Sequence, residues 1–231
     1  MLIRSFPAGA FGTNCYAIAA GPRSECVVVD PGMDAIEGVR QVVAEHNLRP
    51  LAVLVTHGHF DHMWHAQDVA AEYDCPVWIH PADRHLLSDP MAAISGQSAA
   101  MLRSQLGMTD LPDFTEPADV RDAVDGAEIE VDGLTFTVDH VPGHTPGTVF
   151  YRVDYDGPED VSQVMFSGDF LFAGSIGRTD LTGGSHDERQ ASLRDRVLPL
   201  ADDVVVLPGH GGQTSIGRER ATNPFLAEVS P

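Results

Sequence analysis

Thr56-His57-Gly58-His59-Phe60-Asp61-His62 follows directly on the apolar run Leu51-Ala52-Val53-Leu54-Val55. Three histidines and a carboxylate packed this closely at the end of a β-rich run have the spacing of a metal site. Side chains at alternate strand positions share a face, so His57 and His59 are set to reach one ion. Asp61 and His62 fall past the bend and, being adjacent, point apart. They are placed to serve a second ion rather than to crowd the first.

A histidine-rich exposed turn would need no partners elsewhere in the chain, yet candidate partners recur. Leu134–Val138 runs on to Pro142-Gly143-His144, Val164-Met165-Phe166 to Gly168-Asp169, and Val204–Leu207 to Pro208-Gly209-His210. Four strand ends therefore offer ligands, and loops braced by a sheet are where side chains from distant parts of a chain converge.

The pattern H-x-H-x-D-H at 57–62 resembles the signature of the metallo-β-lactamase superfamily, and the later ligand types occur in that family's order. The resemblance implies a four-layer αββα sandwich of the α/β class, with a dinuclear site at one edge between the sheets. It assigns His57, His59 and His144 to a first metal and Asp61, His62 and His210 to a second, with Asp169 bridging both. His46, His65, His80, His85, His140 and His186 match none of these positions and read as surface or packing residues. Histidine with carboxylate suits zinc, iron and manganese alike, and two zinc ions are expected.

The 231 residues are 43% apolar and 21% charged, a globular composition that fits one domain over 1–231. No apolar run is long enough for a membrane span, and a cytoplasmic location is expected. Cys15, Cys26 and Cys75 are widely spaced and suggest neither a disulfide framework nor a cysteine zinc site. A formal net charge of −20 repels phosphate backbones, which points to a small-molecule substrate rather than nucleic acid. All 14 basic residues are arginine.

Residues 1–80 read as strand, strand, helix, strand, helix, strand, with strands at Asn14–Ile18, Cys26–Val29 and Cys75–Ile79 and helices at Asp34–Glu45 and Asp61–Glu72. From about 81 to 119, Pro90, Gly96, Pro112 and Pro117 interrupt two short helical patterns, giving a helical insert whose Met91, Met101 and Met108 are expected to fill core gaps rather than to line a substrate channel. Strands resume near 127–138, 147–153, 162–168 and 203–207, with a helix from Asp187 to Leu198.

Ser167–Asp180, Pro208-Gly209-His210-Gly211 and Glu219–Phe225, with Thr13-Asn14-Cys15-Tyr16 and Asp30-Pro31-Gly32 near the start, resemble the glyoxalase II group in its short bacterial form. That resemblance implies a hydrolase of hydroxyacyl-glutathione-type thioesters. A water bridging two cations is acidified to attack the thioester carbonyl, with Asp61 orienting it and Asp169 holding the ions together. Full-length members add a C-terminal helical region whose basic residues hold glutathione. This sequence ends soon after Pro224 and has no lysine, so weak glutathione recognition is expected, with mycothiol as an alternative carrier. Trp64 stands where small residues are usual and is expected to pack. Gly177-Arg178-Thr179-Asp180 also resembles iron-dependent persulfide dioxygenases of the same fold, which hold a single iron at positions matching His57, His144 and Asp169. That activity is the rival.

Overall fold

The computed structural model describes residues 1–94 and 114–229. Its first sheet holds β1 (Leu2–Ala8), β2 (Thr13–Ala19), β3 (Glu25–Val29), β4 (Arg49–Leu54), β5 (Val77–Ile79) and β6 (Val120–Asp122) in chain order. β1 to β3 pair antiparallel, and β3 to β6 pair parallel. The second sheet is built from β7 (Glu128–Val131), β8 (Leu134–His140), β9 (Val149–Asp154) and β10 (Gln163–Gly168). A ribbon of β11 (Leu171–Phe172) and β12 (Ser175–Ile176) follows, and then β13 (Val205–Pro208) and β14 (Thr214–Ser215) complete the sheet in the order β14-β13-β10-β9-β8-β7.

Alternation along the strands divides the apolar residues between two jobs. Val27, Val29, Ala52 and Leu54 of the first sheet meet Phe136, Val138, Val149, Tyr151, Val164 and Phe166 of the second in the core between the sheets. Their neighbours face outward. Val28, Val53 and Val77 pack under α1 (Ala35–His46) and α3 (Ala66–Tyr73), the latter preceded by the single turn α2 (Phe60–Met63). Phe150, Met165 and Val206 pack under the segment that includes α4 (His186–Ser192) and Leu193–Val197, and under α5 (Ile216–Thr222) and α6 (Pro224–Val229). Helix, sheet, sheet, helix is the expected four-layer αββα sandwich. Each large side chain buried in it contributes about 1.5–3 kcal/mol.

Several local expectations need correction. β1 was not expected. The helix expected over Asp61–Glu72 is two pieces, because the backbone N–H of His65 donates to Pro31 O at 2.9 Å instead of continuing the helical ladder. The single strand expected near 127–138 is a hairpin, turned at Asp132 and Gly133 with φ 48° and 80°, the two-residue turn that an Asp-Gly pair favours. The helix expected to Leu198 ends as α at Ser192 and continues as a π turn over Leu193–Val197. Of the insert expected at 81–119, the described parts hold two 3₁₀ turns, Arg84–Leu87 and Pro90–Ala93. Met101 and Met108 lie outside the described residues. Among the described residues no helix is long and apolar enough to cross a membrane.

Candidate metal centre

All seven side chains expected as ligands arrive at one edge of the sandwich. His57, His59, Asp61 and His62 follow β4, His144 lies in the β8–β9 turn, Asp169 follows β10 and His210 follows β13. The two sheets are joined at this edge, where the N–H of Val149 donates to Thr56 O at 2.9 Å and Tyr151 Oη donates to Val55 O at 3.1 Å. The His210 loop is anchored to β2. Asn14 N donates to Gly209 O at 2.7 Å, and Tyr16 Oη donates to Pro208 O at 2.6 Å.

Two trios of donor atoms form. His59 Nδ1 lies 3.1 Å from His57 Nε2 and 2.9 Å from His144 Nε2. Nitrogens bound at ordinary lengths around one tetrahedral zinc stand about 3.3 Å apart, so these three rings are already near ligand spacing. Beside them, His210 Nε2 lies 3.2 Å from Asp61 Oδ2, and His62 Nε2 lies 3.5 Å from the same oxygen. Asp169 reaches both groups, with its oxygens 3.3 Å from His62 Nε2, 3.4 Å from His210 Nε2 and 4.0 Å from His144 Nε2. The grouping is not strictly two-fold, because His57, His62 and Asp169 also form a set within reach of one ion.

Three of the rings are oriented through their outer nitrogens. His57 Nδ1 donates to Thr56 Oγ1 at 3.1 Å, and that hydroxyl donates in turn to Asp30 Oδ2 at 2.7 Å. His62 Nδ1 donates to the same Asp30 oxygen at 2.9 Å, and His144 Nδ1 donates to Arg178 O at 2.8 Å. For His57 and His144 the bond fixes the tautomer that leaves the Nε2 lone pair facing the centre, and for His62 it does so once the ring gives up its second proton. Thr13 Oγ1 donates to Asp61 Oδ2 at 2.9 Å and steadies that carboxylate. The inward His62 Nε2 and Asp169 Oδ1 are buried and approach each other at 3.3 Å, but no hydrogen bond satisfies either atom. Such orphaned inward atoms are costly unless something else occupies the centre, and a cation fits the donor set.

The two halves differ electrostatically. Burial and the neighbouring rings depress His57, burial depresses His144, and His59 is pushed down to about 3 by burial and His144, so these three are neutral bases ready to ligate. Burial also disfavours charge on His62 and His210, but the carboxylates around them win. Asp169, Asp61 and Asp30 hold His62 well above its ordinary range, and bonds to Asp169 and Asp61 raise His210 to about 9. Against the cost of burial, the charge of His62 and the bond to His210 keep Asp61 and Asp169 below the usual carboxylate range. Without metal, the second half is thus a network of ion pairs.

The other histidines lie elsewhere. His65 Nδ1 donates to Gly32 O, His80 and His140 stack with centroids 4.0 Å apart, and His46 Nε2 accepts from Arg4 Nε. Trp64 packs edge-on against Phe60 and Phe114, and the three cysteines are buried free thiols. Sequence reasoning missed the supporting residues Asp30, Thr56, Thr13 and Asp83. Asp30 carried a usable signal, since it closes the apolar run Val27–Val29 beside Pro31-Gly32 as the ligands close theirs.

The model of the metallo-beta-lactamase superfamily matches residues 8–210. A protein of Mycobacterium tuberculosis is 43% identical over the full length of both chains, and the hydroxyacylglutathione hydrolase GloC of Haemophilus influenzae is 32% identical, again over the whole of both. Among solved structures, the B3 metallo-beta-lactamase BLEG-1 superposes with a TM-score of 0.79 at 38% identity, covering 97% of this chain and 99% of that one. TTHA1623 in a di-iron-bound form gives 0.73 at 34%, covering 96% and 99%. ETHE1 from Myxococcus xanthus gives 0.72 at 26%, covering 99% and 85%.

Proposed function

The chain belongs to the metallo-β-lactamase superfamily, and we propose that within it this protein is a dinuclear metal-dependent hydrolase of thioesters of the hydroxyacyl-glutathione type. The observation that carries this is the pair of donor trios sharing Asp169, assembled from four strand ends with three rings oriented through their outer nitrogens. Likeness to GloC supports the thioester as substrate, and the di-iron-bound neighbour supports a two-metal site. We assign His57, His59 and His144 to one ion, Asp61, His62 and His210 to the other, and Asp169 to both, with zinc as the expected metal and iron or manganese compatible with the same donors.

Two bound cations supply Lewis acidity that brings a water's pKa near 7 and polarises a carbonyl. The chain's own part is positioning. Asp61 and Asp169, with side chains 14% and 16% exposed, and His210 at 30% form the open rim, while His57 and His62 close the floor. Asp61, held by Thr13, is placed to orient the attacking water. A thiolate leaves readily, which reduces the need for a dedicated general acid. The three free thiols fit a reducing, cytoplasmic setting.

Gly177–Asp180, which resembles a persulfide dioxygenase segment, has a role here that is independent of oxygen chemistry. Arg178 O orients His144, while the Arg178 side chain pairs with Asp180 at the surface. A mononuclear iron centre would also leave Asp61, His62 and His210 unused.

Metal content of protein purified without added metal, together with steady-state hydrolysis of lactoylglutathione, mycothiol and coenzyme A thioesters and of a chromogenic β-lactam, tests the proposal. Two ions per chain and thioester turnover exceeding β-lactam turnover are expected, with weak saturation by the glutathione substrate. One iron per chain with rapid oxygen uptake on glutathione persulfide would assign the dioxygenase instead.

A further inference from the structure

His59 differs from His57, His62 and His144. Thr56, Asp30 and Arg178 O hold the outer nitrogens of His57, His62 and His144, whereas the outer Nε2 of His59 is buried without a partner among the described residues. Among the described residues nothing steers its ring from outside, which puts weight on the backbone beneath it. Within the ligand loop His59 O accepts from His62 N and Met63 N, and from outside the loop the backbone is fastened at Gly58. The N–H of Gly58, between His57 and His59, donates to Asp83 Oδ2 at 2.8 Å.

Asp83 is fully buried and comes from outside every ligand loop. It occupies the N-cap position of the Arg84–Leu87 turn, where an aspartate ordinarily accepts from its own helix, yet its carboxylate makes no such bond. It reaches across instead. Oδ2 also accepts from Thr145 Oγ1 at 2.6 Å, next to His144, and Oδ1 accepts from Gly147 N at 2.9 Å. Both flanking glycines leave the space it needs. A Cβ on Gly58 would lie 3.1 Å from Asp83 Cβ, and one on Gly147 would lie 2.5 Å from Asp83 Cγ. A single carboxylate therefore ties the His59 loop of one sheet to the His144 loop of the other, and none of these hydrogen bonds reaches Asp61, His62 or His210.

We propose that Asp83 is the positioning residue of the three-histidine half, setting the 2.9 Å approach of His59 to His144 and so the affinity of that half alone. This inference rests on the metal assignment made above. In Asp83→Asn the amide has the same shape, but its NH₂ must face at least one of the N–H groups of Gly58 and Gly147, so one loop is released.

The experiment isolates each half with a second substitution. Zinc affinity is measured by competition with a chromophoric chelator, in a His210→Ala background for the three-histidine half and in a His59→Ala background for the other. Asp83→Asn should weaken the first by about 10- to 100-fold, the usual effect of losing an outer support. The second should be unchanged, and the visible spectrum of bound cobalt should change only in the first background. If Asp83→Asn does not fold, Thr145→Val removes one of the same bonds and Thr145→Ser should restore it. Equal weakening of both halves, or of neither, overturns the inference. No zinc bound by the His210→Ala protein with Asp83 intact would overturn the metal assignment itself, and the inference with it.

Discussion

Asp30→Asn should impair both ions through one side chain. Asp30 Oδ1 accepts from Thr56 N at 2.8 Å, while Oδ2 accepts from Thr56 Oγ1 and from His62 Nδ1. An asparagine fits the space but can satisfy only one side. With its NH₂ in the Oδ2 position it donates to Thr56 Oγ1 and to His62 Nδ1. His62 must then carry its proton on Nε2, and the Thr56 hydroxyl, now donating to His57, moves that ring's proton to Nε2 as well. Neither nitrogen can then ligate. Turning the amide over restores both tautomers but sets NH₂ against the buried Thr56 N–H, which costs about 1–3 kcal/mol. That cost bounds the effect at about a 5- to 150-fold loss of affinity. It is incurred once, because a single flip corrects both rings, so the ion that binds first bears most of it. Zinc titration of wild type and variant, with thermal melts to confirm folding, checks this. An Asp30→Asn protein that binds both ions with wild-type affinity would refute the tautomer argument.

Three further outcomes follow from the same geometry. His210, raised to about 9, and His62, raised well above its ordinary value, are protonated at pH 7 in the metal-free protein and must lose those protons to ligate, whereas His57, His59 and His144 are already neutral. Affinity for the second ion should therefore rise as the pH increases from 7 through about 9, where His210 loses its proton. Calorimetry in buffers of different ionisation enthalpy should show proton release for that ion and almost none for the first, and equal release for both would contradict the electrostatic split. Glu219, buried, accepts from Gly174 N, Thr214 Oγ1 and Asn223 Nδ2 and fastens the C-terminal helices to the ribbon; Glu219→Ala should lose about 2–4 kcal/mol in urea unfolding while folded protein keeps its metal content. Arg178→Ala should leave metal content and thioester turnover close to wild type, since the carbonyl that orients His144 stays and the exposed pair with Asp180 contributes little. A large fall in turnover with both metals retained would instead place the guanidinium on the substrate.

The four-layer fold and the seven clustered residues were legible because both are written in side-chain chemistry. Alternating apolar residues assign faces, as Val27, Val28 and Val29 do by facing the inter-sheet core, the helices and the core again, and imidazoles and carboxylates at strand ends declare themselves as donors. Asp132-Gly133 was equally readable as a hairpin turn and was passed over inside a longer β-rich run. The break after Met63 was not readable, since it depends on two carbonyls far earlier in sequence, Pro31 O capturing the backbone N–H of His65 and Gly32 O capturing its ring. The supports of the centre divide the same way. Asp30 closes a strand as the ligands do, but Asp83 lies at the start of the insert, away from any strand-end ligand motif, and its meaning exists only once Gly58, Thr145 and Gly147 surround it. His144 marks the extreme case, because its outer partner is a main-chain oxygen that any residue at position 178 would supply. Residue identity can reveal which groups are able to bind a metal. Which of them are held in the binding tautomer depends on acceptors that are often generic backbone, and those appear only when the loops are brought together.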